Sequence, residues 1–294
     1  MNSLSYSFII PHHNSPDLLN RCLDSIPQRE DIEIIVVDDN SDVDKKPRVS
    51  RPDVKLICID AEHTKGAGRA RNYALKEAKG MWLVFSDADD YFVSGFMNVL
   101  DNYKDADCDV VYHPAKAFDT VTQEEMPALL KRHNDYFAKY DGSKDSLDLI
   151  KFHLHSPWWK MVRRELVLKK NLQFEEVPKG NDVFFSYQVG YFARKVCVEQ
   201  KPLYVYTYNR HGITNGKKNK TIYLSIFRNK HKVNEFYRFI GHEDWIEGNF
   251  RKWLKIIKKD GLSVFFQTLF AYISNYKDIR ASRMEYVEEI RKRI

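Results

Sequence analysis

Four short apolar runs, Tyr6 to Pro11, Glu33 to Val37, Val54 to Ile59 and Met81 to Phe85, alternate with stretches of helical spacing over the first third of the chain. That alternation predicts an α/β fold, a largely parallel sheet with helices on both faces. The first helix is expected to start at Ser15 as N-cap and Pro16 as first helical residue. Leu18, Leu19, Cys22, Leu23 and Ile26 form its apolar face, and Pro27 ends it. A second, alanine-rich helix is expected over Gly68 to Lys79, closed by Gly80, and a fifth strand over Cys108 to His113.

Two of these strands run directly into acidic clusters: Asp38-Asp39-Asn40-Ser41 after the second and Ser86-Asp87-Ala88-Asp89-Asp90 after the fourth. Open parallel sheets bind ligands beyond the carboxyl ends of their strands, so both carboxylate sets are expected to face one crevice. An Asp-x-Asp turn at such a place supplies what a hard cation such as Mg²⁺ or Mn²⁺ requires: one or two protein carboxylates, with phosphate oxygens and water completing the shell. An isolated Asp-x-Asp is as often a turn former or helix cap, so its context decides.

Beyond residue 113 the pattern changes. Phe118 to Leu149 is polar and predicts a helix and a mobile loop near Tyr140 to Ser143. Helices are expected around Arg164 to Lys170 and from Asn181 to Arg194, strands at Val196 to Gln200 and Leu203 to Tyr208, and helices from Thr221 to the end, broken near Gly241, Gly261 and Lys277. The predicted organisation is a catalytic domain over residues 1–215, made of a 1–113 half and a 114–215 half, followed by a helical region over 216–294. At 294 residues and 43% hydrophobic, the chain has material for these cores, which excludes intrinsic disorder.

The formal charge of +6 is concentrated in the C-terminal third, as in Lys217 to Lys220 and Arg251 to Lys259, and suits an anionic surface or a solvated basic face. No nucleic acid is expected, since neither zinc-finger spacing nor a ribonucleoprotein aromatic signature is present. Cys22, Cys58, Cys108 and Cys197 lack CxxC spacing and read as buried, reduced thiols. With no basic leader before the first strand, a cytoplasmic protein is expected. No run reaches the roughly 18 apolar residues that span a bilayer, which leaves surface attachment open.

Four segments in order carry a resemblance: Ser7-Phe8-Ile9-Ile10-Pro11-His12-His13-Asn14, Ile34-Ile35-Val36-Val37-Asp38-Asp39-Asn40-Ser41, Gly68-Arg69-Ala70-Arg71-Asn72-Tyr73-Ala74-Leu75 and Leu83-Val84-Phe85-Ser86-Asp87-Ala88-Asp89-Asp90. Together they resemble the nucleotide-sugar half of family 2 glycosyltransferases with the GT-A fold, of the kind that builds bacterial surface polysaccharide. The resemblance implies a donor, commonly a UDP-sugar, with Pro11 and Asp39 against the nucleotide base, Lys65 at base or diphosphate, Asp87 at ribose or metal, and Asp89 on the metal. It gives Arg71 and Asn72 the task of bracing loops. Asp38 reads instead as a strand-end turn residue.

Inverting members of the family deprotonate the acceptor hydroxyl with the Asp of a Glu-Asp pair at a helix start. The matching segment is Gly180-Asn181-Asp182-Val183-Phe184-Phe185, which makes Asp182 the expected base and places Asn181 where Glu is usual. Helix capping is the other role open to Asp182. His211 matches a position at which some relatives place a further metal ligand, and Arg210 and Lys217 are candidates for neutralising the leaving diphosphate. His153 and His155, spaced as on a strand, are candidates for an acceptor groove. Trp158 and Trp159, read as adjacent strand residues, allow at most one to face it.

The resemblance implies a saccharide or lipid-linked saccharide acceptor. The C-terminal helices mix Trp245, Trp253, Phe265, Phe266 and Phe270 with many Lys and Arg residues. They can pack on the catalytic domain, form a homodimer, or attach peripherally to the inner face of the cell membrane. The alternative for the whole chain is a weak or inactive GT-A-fold scaffold, which Asn181 makes conceivable. A nicotinamide dehydrogenase is disfavoured because Pro11 to Asn14 stands where G-x-G-x-x-G would follow the first strand.

Overall fold

The computed structural model describes residues 4–60, 66–209 and 218–294. In chain order the elements are β1 (Tyr6–His12), α1 (Pro16–Asp24), β2 (Ile32–Asp39), β3 (Val54–Ile59), α2 (Ala67–Glu77), β4 (Trp82–Phe85), β5 (Tyr91–Phe92), α3 (Phe96–Asp101), β6 (Val110–Tyr112), β7 (Ala115–Asp119), α4 (Pro127–Ala138), α5 (Lys144–His153), β8 (Lys160–Arg163), α6 (Arg164–Lys169), α7 (Val183–Phe192), β9 (Val196–Val198), β10 (Tyr204–Tyr208), α8 (Lys220–Ile240), α9 (Phe250–Ser274) and α10 (Tyr276–Arg293). They fall into two compact units, Met1–Glu176 with Asn181–Asn209, and Val177–Gly180 with Arg210–Ile294.

The first unit is built on a seven-stranded sheet in the order β3-β2-β1-β4-β8-β6-β9. Pairing is parallel throughout except at β8, which runs antiparallel to both β4 and β6. Every residue of β1 and β4 is buried, as expected of central strands covered on both faces. β3 lies at the edge, and there Lys55 and Leu56 are exposed. Pro11, which cannot donate to a ladder, falls beyond the end of the β1–β4 pairing at Ile9 and Phe85.

The chain lays β2 and β3 on one side of β1 and then returns to place β4 on the other side. The crevice is therefore at the carboxyl ends of β2, β1 and β4, where register aligns His12 with Asp38 and the Ser86 amide bonds the Ile9 carbonyl at 3.1 Å. A second sheet, β5-β10-β7, stands behind the acidic turn that follows β4.

Several local expectations are corrected. Gly80 does not cap α2, which ends at Glu77 with Ala78 extended. Gly80 is instead where the chain crosses β1: a Cβ there would lie 2.5 Å from the Tyr6 carbonyl carbon and the Ser7 amide nitrogen. The predicted fifth strand, β6, is separated from β4 by β8, which periodicity did not reveal because Lys160 to Arg163 has only two apolar residues between two cations. Tyr140 to Ser143 is a capping turn between two helices: the Ser143 hydroxyl accepts the Ser146 amide, and Asp141 accepts from the Ser143 amide at 2.9 Å.

In the second unit α8 packs with α9 and α10. Tyr223, Phe227 and Ile256 form a buried cluster, flanked by Trp253, Val264, Phe265 and Tyr272. α8 also holds residues 177–180, because Ser225 and Asn229 donate to the Lys179 carbonyl, each at 2.9 Å. α9 bends at Gly261, whose φ of 88° lies outside the helical region. No helix among the described residues is long and apolar enough to cross a membrane.

Candidate active site

The acidic turn after β4 contains three carboxylates whose oxygens lie within 4.8 Å of one another, Asp87, Asp89 and Asp90, in three different settings. Asp90 is buried and fully engaged: it accepts from the Tyr204 hydroxyl at 2.7 Å and from the Thr207 amide at 2.7 Å, both on β10. Burial and the neighbouring Asp89 and Asp87 charges push its carboxyl well above the usual range. Asp90 thus anchors the turn to the second sheet.

Asp87 Oδ1 accepts from Arg71 Nη2 at 2.5 Å, and its other oxygen has no hydrogen-bond partner among the described residues. The Asp89 carboxylate has no side-chain hydrogen-bond partner among the described residues, while the Asp89 carbonyl is held by Arg21 at 2.5 Å and by the Thr207 hydroxyl. Burial, then the Asp87 charge, pushes the Asp89 carboxyl up to about 6. Such a carboxylate, costly to ionise alone, is relieved by a cation. The donor set of Asp87 and Asp89 therefore fits a hard divalent ion that takes its other ligands from phosphate and water.

At the end of β2 two adjacent aspartates also divide roles. Asp38 is buried and accepts from His12 Nδ1 at 2.7 Å and from the Ser41 hydroxyl at 2.5 Å, while the Ser15 amide donates to His12 Nε2 at 3.2 Å. These bonds fix the His12 tautomer and fasten the β2 loop to the start of α1. Asp39 Oδ2 accepts the Gly66 amide at 2.6 Å, but its buried Oδ1 has no partner among the described residues. A buried carboxylate oxygen without a donor marks a place where an N–H of a ligand would fit. The loops after β1 and β2 turn through Asn14 and Asn40, both at φ 55°, a conformation asparagine tolerates well. Pro11, next to His12 in β1, lies beside Val37 at this same sheet end.

α2 joins the two halves. Its Ala70 and Ala74 are buried, and the helix packs on β1 and β2. Arg71 reaches both Asp87 and, through Nη1 at 3.1 Å, Asn181 Oδ1; Asn72 exchanges hydrogen bonds with the Phe174 backbone at 2.8 and 2.9 Å. Asp182 follows at the N-cap position of α7, yet its side chain makes no capping hydrogen bond. Burial raises its carboxyl above the ordinary range, with Arg71 pulling the other way. A carboxylate released from capping and raised in pKa is suited to accept a proton.

Other candidates are placed differently. Lys65, His211, Arg210 and Lys217 lie outside the described residues. His153 ends α5 instead of lying on a strand, and His155 bonds the Tyr187 hydroxyl at 2.8 Å. Trp158 and Trp159 lie in a short 3₁₀ turn and both are buried: Trp158 stacks on Tyr204 at 4.8 Å and Trp159 on Phe137 at 6.0 Å. Proline at the first position of that turn bends the chain, so both rings enter the core. Arg21, Tyr204 and Thr207, which hold the acidic turn, carried no signal in sequence, because their partners are 68 to 118 residues away.

The mostly parallel sheet, with an acidic turn at its carboxyl edge braced from behind by a small second sheet, defines a protein of the GT-A class. Solved structures share this fold: S. aureus TarS 1-349 in complex with UDP-GlcNAc superposes with a TM-score of 0.60 at 22% identity, covering 78% of this chain and 66% of that one. The model of glycosyl transferase family 2 matches residues 7–169, and the chain belongs to that family. EpsH of Bacillus subtilis (strain 168) is 24% identical over 70% of this chain and 61% of its own length. The Escherichia coli UDP-Glc:alpha-D-GlcNAc-diphosphoundecaprenol beta-1,3-glucosyltransferase WfaP is 40% identical over 91 residues, 30% of this chain and 36% of that protein. The chain thus spans about three fifths of the first of these relatives and about a third of the second.

Proposed function

We propose that the protein is a glycosyltransferase that moves a sugar from a UDP-sugar to a saccharide or lipid-linked saccharide acceptor, with inversion at the anomeric carbon. The observation that carries this is the division of labour in the acidic turn. Asp90 is spent on structure, whereas Asp87 and Asp89 keep oxygens available at the carboxyl edge of the sheet. Those two residues would hold Mg²⁺ or Mn²⁺, which when bound offsets the charge of the donor diphosphate; His211 is the candidate third ligand. The unpartnered Asp39 Oδ1 would accept the imino N–H of a uracil, beside the Pro11 backbone, with Lys65 at the base or diphosphate. TarS was crystallised with UDP-GlcNAc, and WfaP bears the name of a UDP-glucose enzyme with a lipid-linked acceptor, which supports this donor and acceptor class.

Asp182 takes the proton of the acceptor hydroxyl as that oxygen bonds the anomeric carbon, while the bond from that carbon to the diphosphate oxygen breaks and the nucleotide leaves with the electron pair. Residues 1–113 would bind the donor, 114–215 the acceptor, and 216–294 would form an appended helical region. Four free cysteines accord with work in the reducing cytoplasm, where lipid-linked acceptors are met at the inner membrane face.

The test is a pair of variants. Asp182→Asn is expected to lower transfer by about 10²- to 10⁴-fold with UDP-sugar binding intact, and Asp89→Ala to abolish Mn²⁺-dependent donor binding. Near-normal turnover in the first would remove Asp182 from its role. Retained Mn²⁺ dependence in the second would undo the metal assignment. Absence of donor hydrolysis and transfer in the unmodified protein would favour the scaffold alternative that Asn181 raises.

A further inference from the structure

The second half of α9 leaves an apolar face uncovered. Its inward residues, Val264, Phe265 and Tyr272, pack on the Tyr223–Phe227–Ile256 cluster and Thr268 is buried. On the other side Leu262, Phe266, Phe270 and Ile273 are exposed by 50 to 67%. At 100° per residue these four fall within one arc of roughly 80°, a continuous stripe. No charged residue occurs from Gly261 to Tyr276. Four exposed large side chains in register, without a charge among them, are more than scattered surface hydrophobes.

The stretch before this stripe is cationic. In the half of α9 before the Gly261 bend, Arg251, Lys255, Lys258 and Lys259 surround Leu254 in an open concavity of about 500 Å³, while the intervening Asp260 is engaged by the Lys218 amide and the Tyr223 hydroxyl. We propose that α9 docks the protein on an anionic lipid bilayer, with Leu262, Phe266, Phe270 and Ile273 entering the headgroup–acyl boundary and the lysines and Arg251 meeting lipid phosphates. An apolar stripe alone would fit many occupants. Charge complementarity selects this one, because an uncharged aromatic and aliphatic stripe next to a cluster of four cations on the same helix is what an interfacial helix on anionic lipid requires. The docking deepens the lipid-linked acceptor reading by locating the surface that would meet the membrane, but it can fail on its own.

Full-length protein is sedimented with vesicles of phosphatidylcholine alone or mixed with phosphatidylglycerol. Binding is expected only to the mixed vesicles and is expected to weaken with salt. Phe266→Glu with Phe270→Glu should reduce the bound fraction about tenfold or more, and Lys255→Glu with Lys258→Glu should do likewise. UDP-sugar thermal shifts should stay unchanged in both variants, which keeps failure of docking separate from failure of the donor reading. Wild-type protein that stays in the supernatant, or variants that bind as wild type, would overturn the proposal. So would concentration-dependent dimerisation abolished by the same substitutions, which would assign the face to a second copy.

Discussion

Paired residues of one chemical type carry different duties in this protein, and neighbours decide which. Asp38 and Asp39 are adjacent at the end of β2, and successive strand residues point to opposite faces. One therefore meets His12 and Ser41 inside the fold, while the other turns toward Gly66 with an oxygen to spare. Removing the spare oxygen should weaken nucleotide binding without unfolding the protein. Asp39→Ala is expected to cost about 1.5–3 kcal/mol of UDP affinity, the worth of a hydrogen bond to a charged group, measured as a rise in Kd by calorimetry. An unchanged Kd would show that Asp39 serves the loop alone. The strand-end acidic residues were legible in sequence as a set, and Asp38, expected as a strand-end turn residue, accepts from the Ser41 amide and hydroxyl. The assignment of Asp90 as the anchor was not legible, because its partners Tyr204 and Thr207 arrive from a strand more than a hundred residues later.

At the level of elements, α2 is the bridge between the acidic turn after β4 and the segment that carries Asp182. Its Gly68 sits so close to the Glu175 carbonyl and the Asn181 side chain that an added Cβ would overlap the Glu175 oxygen. Gly68→Ala should push the 174–176 and 181–182 strands of chain away from Arg71. A loss of about 1–3 kcal/mol is expected from overpacking, seen as a lower Tm together with slower transfer; a Tm equal to wild type would mean that the segment yields without cost. The strands β1 to β4 and helices α1 and α2 could be read from periodicity because each is long or strongly apolar. Short elements such as β5, β7 and β8 could not, since their two to five residues lack the apolar or aromatic run that marked β4, β6 and β10, and their existence depends on partners brought by the rest of the sheet.

On the scale of the whole molecule, burial of ionisable groups ties stability to pH. His113 is buried on the first unit, and burial pushes its pKa down to about 4, so the folded protein refuses a proton that the unfolded chain accepts from about pH 6.5 downward. Its contribution is therefore present above pH 6.5 and is lost as pH falls toward 4. Asp89 and Asp90, with raised carboxyl pKa values, act in the opposite sense over the acid range. Comparison isolates the histidine: between pH 7 and pH 5 wild type should lose about 2 kcal/mol relative to His113→Leu, measured by urea denaturation, and parallel losses would exclude His113 as the source. What the sequence determined by itself was local in origin. Apolar runs and helical spacing indicated the order of the main strands and helices, the four ordered motifs indicated family 2, and the acidic clusters marked the carboxyl ends of β2 and β4, since each depends on residues close together in the chain. Tertiary structure alone decided which carboxylate is structural and which is available, that both Trp158 and Trp159 are core residues, and which side of α9 is left bare. Those outcomes depend on desolvation and on partners brought together from distant segments, and neither is written in any single stretch of sequence.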